Sequence, residues 1–351
     1  MFYLYLAKNN PQVQSAMKKL RDIVTYFDKS TQAMDKLLEF QRTTEMAQYK
    51  NQPKEKKPLQ DVVTRWWSTF RAIRRMRWLK KAIKWLIING DITCTDLTDA
   101  EWCVLHQVEI LLETMAYFQR VLEGESYVTG SLVPVAVYQI RKSYVEVIEC
   151  QDSLEPVKDL ARVLLTDFDK RYVPACATTG KVKYHREDRT GAGNRYVGIH
   201  QFFFFAALLD PRVAPMLPEM MTPEDYQLLK SDIIDAMLAK AKAINVKASD
   251  NTNQPTENSN SEENPEQAVI PQQTKRANKM SKMFRGLNTS GSPTANPNNE
   301  RAELERYLND ALVGACPLHD DELNFNNPLK WWKQNAVKYA WVALLALDVQ
   351  I

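Results

Sequence analysis

The sequence predicts a mainly α-helical protein, and three observations carry that prediction. Apolar residues recur at helical spacing along most of the chain, period-2 alternation is hard to find, and glycine is scarce, ten in 351 residues. With 44% hydrophobic and 25% charged residues the composition is globular, and a chain of this length can bury a sizeable core in one large or two ordinary domains. The longest apolar runs, such as FFFFAALL from Phe202 to Leu209, fall far short of the roughly 20 residues a spanning helix needs, so no membrane partner is expected. The opening MFYLYLAKNN has no basic lead and too short an apolar run for a signal peptide. Being apolar from residue 2, it reads as a chain entered part-way through a domain.

Along the chain, Val13, Met17, Leu20, Val24 and Phe27 form one helical stripe. Ser30 or Thr31 is placed to cap a second helix carrying Met34, Leu37, Leu38 and Gln41. A third helix, basic and aromatic, is predicted over 61–88. Thr98 with Glu101 three residues later reads as a capping box, opening the cleanest stripe of all: Val104, Val108, Leu111, Met115, Phe118 and Leu122. Further helices are predicted over about 131–150, 154–172, 223–244 and 300–313. The stretch CATTGKVKYHREDRTGAGNR (Cys176 to Arg195) is polar, glycine-bearing and basic, and reads as an exposed loop. Residues 247–300 are dense in Asn, Ser, Thr, Gln and Pro and cannot bury enough apolar surface to offset the entropy of ordering. They read as a disordered polar linker, whose basic island KRANKMSKMFR (Lys275 to Arg285) is either a solvated stretch or a nuclear-import or phosphate-contact segment. The domain plan is therefore N-terminal helices over 1–50, a helical domain over 51–246, the linker over 247–300 and a C-terminal region over 301–351.

The chemistry-bearing residues are sparse. Net charge is only +3, so attraction to a polyanion has to come from a local patch. Five scattered cysteines without a Cys-x-x-Cys suit a reducing compartment. Cys103 and His106 share a helical face, but a zinc site normally takes four ligands and no second pair lies nearby, so Cys103 reads as a packing residue. The chain carries no phosphate-cradling glycine loop and no nucleophile elbow. No metal, cofactor or small-molecule substrate is expected.

The strongest physical signal is DVVTRWWSTFRAIRRMRWLKKAIKW, from Asp61 to Trp85. Between Val62 and Gly90 stand eight Lys or Arg residues and four tryptophans, with no Asp or Glu. On a helix, Trp66, Phe70, Ile73, Met76, Ile83 and Ile87 share a face, while Arg71, Arg74, Arg75 and Lys81 point away from it. Composition leaves two readings open. One is a nucleic-acid grip in which cations meet phosphates and a tryptophan stacks on an unpaired base; the other is a core helix with a basic, solvated back.

DVVTRWWST (Asp61 to Thr69) resembles the D-V-x-T-R-W-N-S-T block of the hAT-family (hobo/Activator) transposases and their domesticated descendants. Other stretches follow in the family's order: LRDIVTYFDKSTQAMDKLLEFQ ahead of it, then DLTDAEW through SLVPVAVYQI, AALLDPRV, and ELERYLND with NPLKWWKQNAVKYAWVALLALDVQI. These blocks span nearly the whole chain. The resemblance implies the multi-helix insertion domain of an RNase H-like transposase, lacking most of the β-sheet core, followed by the start of the C-terminal dimerisation region. In the family three acids hold divalent metal for strand cleavage. They belong to blocks that this sequence does not carry, and so does the BED-type zinc finger. No catalytic residue and no metal ligand is therefore assigned, and no enzymatic activity is expected.

The resemblance further implies that Arg65 and Trp66 lie near transposon-end DNA, the tryptophan steadying a flipped base. With Arg71, Arg74, Arg75, Arg77 and Lys81 they make up the candidate DNA-binding set. The candidate dimerisation face is Leu329, Trp331, Trp332, Tyr339, Val342, Leu344 and Leu345, whose alternative is docking onto the chain's own helical core. The sequence departs from the family at Trp67, where Asn is usual, and at Ala340 and Trp341, which replace a Pro-led turn. The implied protein is nuclear, pairs with itself or with a related hAT protein, and binds DNA. Its rivals are a domesticated regulator using the basic helix alone and the inert product of a decayed transposon.

Overall fold

The computed structural model describes residues 10–43, 55–62, 66–124, 128–172, 180–184, 198–250, 297–312 and 326–350, which are helical or irregular with no strand among them. Contacts divide the chain into two compact units: residues 1–200 with 220–222, and residues 201–219 with 223–351. The N-terminal helices thus share a unit with the basic helix, and the helix after Pro223 belongs with the C-terminal region.

The first unit is a helical bundle. Helix α1 (Pro11–Lys29) starts at Asn10, whose side chain accepts from the Val13 amide at 3.2 Å, with Pro11 in the first turn where its missing N–H costs nothing. The whole predicted stripe from Val13 to Phe27 is buried. Helix α2 (Thr31–Thr43) is capped by the Ser30 hydroxyl, which accepts from the Ala33 amide at 3.2 Å. Helix α3 (Trp66–Ile88) and helix α4 (Asp99–Leu122) follow, then α5 (Val133–Glu149) and α6 (Glu155–Tyr172). Helix α4 packs against α1, α3, α5 and α6, which explains why its apolar stripe reads so cleanly in the sequence.

Polar ties fix the register of this bundle. The capping box at the start of α4 is formed in both directions, with the Glu101 amide donating to Thr98 Oγ1 at 3.2 Å and the Thr98 amide donating to Glu101 Oε2 at 2.8 Å. The same carboxylate takes Lys19 of α1 at 2.9 Å, so one side chain both caps α4 and docks α1. Thr98→Ala is expected to lower stability by about 1 kcal/mol in a urea titration. Arg141 of α5 makes a two-nitrogen fork to Asp169 of α6, at 2.9 and 3.1 Å, with both side chains largely buried.

The stretch expected to be an exposed loop behaves differently where it is described. Residues 180–184 are irregular, yet Val182 and Tyr184 are buried, and the Val182 amide donates to Met220 O at 2.9 Å. Two alternate apolar side chains were hidden by polar neighbours; the rest of the 176–195 stretch, apart from 180–184, lies outside the described residues. Cys103, read as a packing residue, is exposed, as is His106; the buried face of α4 falls instead on Trp102, Val104, Leu105 and Val108. Among the described residues no three His, Cys, Asp or Glu side chains are grouped so as to hold a metal ion. No described helix is long and apolar enough to cross a membrane.

The second unit is built from α7 (Gln201–Leu208), a short turn α8 (Leu217–Met220, shared with the first unit at its end), α9 (Pro223–Asp250), α10 (Pro297–Leu312), α11 (Pro328–Asn335) and α12 (Ala340–Gln350). Helix α9 runs past 244 to Asp250 and α10 begins at Pro297, so both ends of the predicted linker are helical; its remaining residues, including Lys275–Arg285, lie outside the described set. The sequence LDPR after α7 is the hub. Asp210 and Arg212 have fully buried side chains and are joined at 2.5 to 3.1 Å, while Arg212 Nη1 also donates to Asn326 O at 2.6 Å. The carbonyls at the end of α7 and just past it are met from other helices: Tyr307 of α10 donates to Leu208 O at 3.0 Å, and Trp332 Nε1 of α11 donates to Leu209 O at 2.9 Å. Helix α12 is capped from a distance. Glu303 of α10 accepts from the Trp341 and Val342 amides at 2.7 and 2.9 Å, and burial pushes its carboxyl upward although those amides pull the other way.

Candidate nucleic-acid interface

Helix α3 buries Thr69, Phe70, Ala72, Ile73, Met76, Leu79, Ala82, Ile83 and Leu86, a face repeating every three or four residues. This matches the predicted core face at Phe70, Ile73, Met76 and Ile83, whereas Trp66 and Ile87 are half-buried. The tryptophans are not deep core. Trp66, Trp67 and Trp78 are half-buried, and Trp85 is 47% exposed while leaning on Phe40.

The cations sort into two groups, and α4 does the sorting. Arg77 bonds to Glu109 and Lys84 lies 2.6 Å from Asp99, both carboxylates of α4, while Lys80 sits over the Trp102 ring at 5.2 Å. Arg77 is therefore tied into the bundle. Arg74 only approaches Glu109, at 3.8 Å, and is mostly exposed. Arg71 and Lys81 are exposed and have no carboxylate partner among the described residues. Arg65 lies outside the described residues.

A second segment joins the first group. Arg75 Nη1 donates to Lys57 O at 2.7 Å, and Lys56 lies over the Trp78 ring at 4.5 Å. Burial holds Lys56 below the usual lysine range, and the nearby Arg75 and Arg74 charges add to it. Burial likewise lowers Arg75, with help from Arg71. Lys56 and Arg75 are therefore brought to the same side of α3 as Arg71 and Arg74, with Lys57 exposed beside Arg75. Lys56 and Lys57 were missed in the sequence reading. The run KEKKP (Lys54 to Pro58) was the available signal, but nothing local placed it against α3.

The D-V-x-T-R-W-x-S-T block has its own wiring. Asp61 is buried and receives Arg21 Nε and Nη2 of α1 at 2.9 and 2.7 Å, and the Thr69 hydroxyl at 3.3 Å. The Ser68 hydroxyl accepts from the Val62 amide at 2.8 Å and donates to Val62 O at 2.9 Å. Trp66 then stands at the first position of α3, on the wall of an open cavity of about 450 Å³. That cavity is mainly apolar and aromatic, lined by Phe118, Tyr144, Phe168 and Tyr172 among others, with Asp167 and Arg171 also on its wall.

The seven residues expected to dimerise do not form an open face. Trp331, Trp332, Tyr339, Val342 and Leu345 are buried within the second unit and Leu329 is half-buried, leaving Leu344 at 38% exposure. Trp332 packs against Tyr307, ring centres 5.0 Å apart and tilted by 34°, and Trp331 lies parallel to Tyr339 at 6.0 Å. These aromatics face the unit's own helices because Tyr307 and the carbonyl ends of α7 supply both rings and acceptors.

No curated protein matches this chain. Residues 11–111, spanning α1 to α3 and the first half of α4 with the basic helix inside, match the family model described as the ZBED1 RNase-like helical domain. That match and the all-helical described structure support a hAT-like protein.

Proposed function

We propose that this protein is a transposase-derived DNA-binding protein that grips the phosphate backbone with one end of α3 and does not itself cleave strands. The observation that carries the reading is that a second basic segment packs against α3: Arg75 Nη1 donates to Lys57 O at 2.7 Å and Lys56 lies over the Trp78 ring at 4.5 Å, with Lys57, Arg71 and Arg74 exposed. Cations so placed can neutralise phosphates and release their counterions. The absence of strand cleavage rests on the resemblance, which places the family's three metal-holding acids in blocks this sequence does not carry. A nuclear location and pairing with a second copy or a related hAT protein belong to the same reading; for pairing, Leu344 and Val337 are exposed apolar residues of the C-terminal region.

A salt titration tests the grip. Arg71→Ala, Arg74→Ala and Arg75→Ala combined should weaken binding to a duplex and reduce the slope of log affinity against log salt by about 2–3, roughly 0.9 per lost phosphate contact. Arg77→Ala alone should leave the slope nearly unchanged, because Arg77 is occupied by Glu109. Binding undetectable at low salt, or a slope unmoved by the triple substitution, defeats the reading.

A further inference from the structure

Helix α2 buries a polar side chain where its stripe calls for an apolar one. Ala33, Leu37 and Phe40 are buried, and Gln41, next along the same face, is fully buried too. A buried amide costs free energy unless each of its groups is bonded. Here each is. The Lys56 amide donates to Gln41 Oε1 at 2.8 Å, and Gln41 Nε2 donates to Lys56 O and to Leu37 O, both at 3.1 Å. Gln41 thus meets the donor and the acceptor of one residue, as a neighbouring strand does. That residue lies over the Trp78 ring at 4.5 Å, and the next, Lys57, is exposed while its carbonyl takes Arg75 Nη1 at 2.7 Å. The same stretch is therefore held by α2 through Gln41 and by α3 through Arg75. Close by, the fork from Arg42 to Glu55, at 2.6 and 3.1 Å, is exposed and screened by salt, whereas the bonds of the buried amide are not.

We infer that Gln41 is a positioning residue for the second basic segment: its two bonds to Lys56 set where Lys56 and Lys57 stand beside α3 as phosphate contacts. This rests on the DNA-binding reading above and brings α2 into the support of that surface. The physical reason is preorganisation. Cations on an irregular stretch lose conformational freedom when they meet phosphates, and a stretch ordered in advance loses less. The residue type follows from the bonding. Glutamate at position 41 would keep an acceptor for the Lys56 amide but lose the donors and bury a charge, and methionine would fill the same space with no polar group.

The test uses the full chain carrying lysine labelled with carbon-13 at Cε, the Lys56 resonance being identified by its loss in Lys56→Arg. In the wild type the Trp78 ring should shift this line upfield of the other lysines, and in Gln41→Met it should return toward them. In parallel, affinity for a DNA duplex is measured against salt. Gln41→Met should reduce the slope of log affinity against log salt by about 1–2, roughly 0.9 per lost phosphate contact. Lys56→Ala with Lys57→Ala should give the same loss in the wild-type background and no further loss on top of Gln41→Met. An unmoved Lys56 line in Gln41→Met, an unchanged slope, or additive losses overturns the positioning role and leaves the grip of Arg71 and Arg74 standing. So does a slope unmoved by the lysine pair, and since neither lysine is a core side chain, that result counts even where Gln41→Met does not fold. A wild-type chain that binds no duplex defeats the DNA reading, and this role with it, whatever the Lys56 line does.

Discussion

Arg212→Ala is expected to destabilise the second unit by about 3–5 kcal/mol. The arginine and its partner Asp210 both have fully buried side chains and meet at 2.5 to 3.1 Å. Removing the guanidinium takes from a buried carboxylate the cation it meets at 2.5 Å and takes from Asn326 O the donor that Arg212 Nη1 supplies at 2.6 Å. Desolvation of the stranded charge outweighs any gain from relaxed packing. A control separates pairing from packing: Asp210→Asn with Arg212→Met together should cost clearly less than Arg212→Ala alone, since no buried charge remains. Hydrogen exchange on peptides from 201–216 and 326–345 reports the loss locally, and guanidinium titration of the full chain gives its size. Equal costs for the single and double variants would show that packing around the LDPR turn matters and its charge does not.

Trp332→Ala should cost a similar amount, about 3–5 kcal/mol. The ring is wholly buried, packs against Tyr307, and donates to Leu209 O just past the end of α7, so its loss leaves a cavity and removes a buried hydrogen bond. Leu344→Asp, by contrast, should change stability by no more than about 0.5 kcal/mol, because that side chain is 38% exposed. The pair of variants separates folding from association. If the C-terminal helices pair between chains through Leu344, sedimentation of Leu344→Asp will shift toward monomer while its unfolding curve stays put. Deleting residues 301–351 would not make this distinction, since Tyr307 and Trp332 belong to the core of their own unit.

Much of the helical framework was legible in the sequence. The α1 stripe, the Ser30 cap and the Thr98–Glu101 box were readable because each depends on residues within one or two turns of one another. Helix α12 shows the limit. Its cap is Glu303, 38 residues before the Trp341 amide it accepts, and no local pattern announces a cap supplied by another helix. The same applies to Val182 and Tyr184, whose burial depends on what they meet and not on their polar neighbours.

For the basic stretch itself, the sequence determined that a helix would form, which face would be buried, and how much positive charge it would carry. Periodicity and composition are enough for those. Which cations remain available was a tertiary decision. Glu109 and Asp99 sit on α4, and where α4 packs decides that Arg77 and Lys84 are neutralised while Arg71 and Lys81 are not. The chain path before α3 likewise decides that Lys56 joins Arg75 and Arg74. Charge is a property of residues, but availability is a property of neighbours, and a Coulomb term within a few ångströms outweighs the number of charges along the chain.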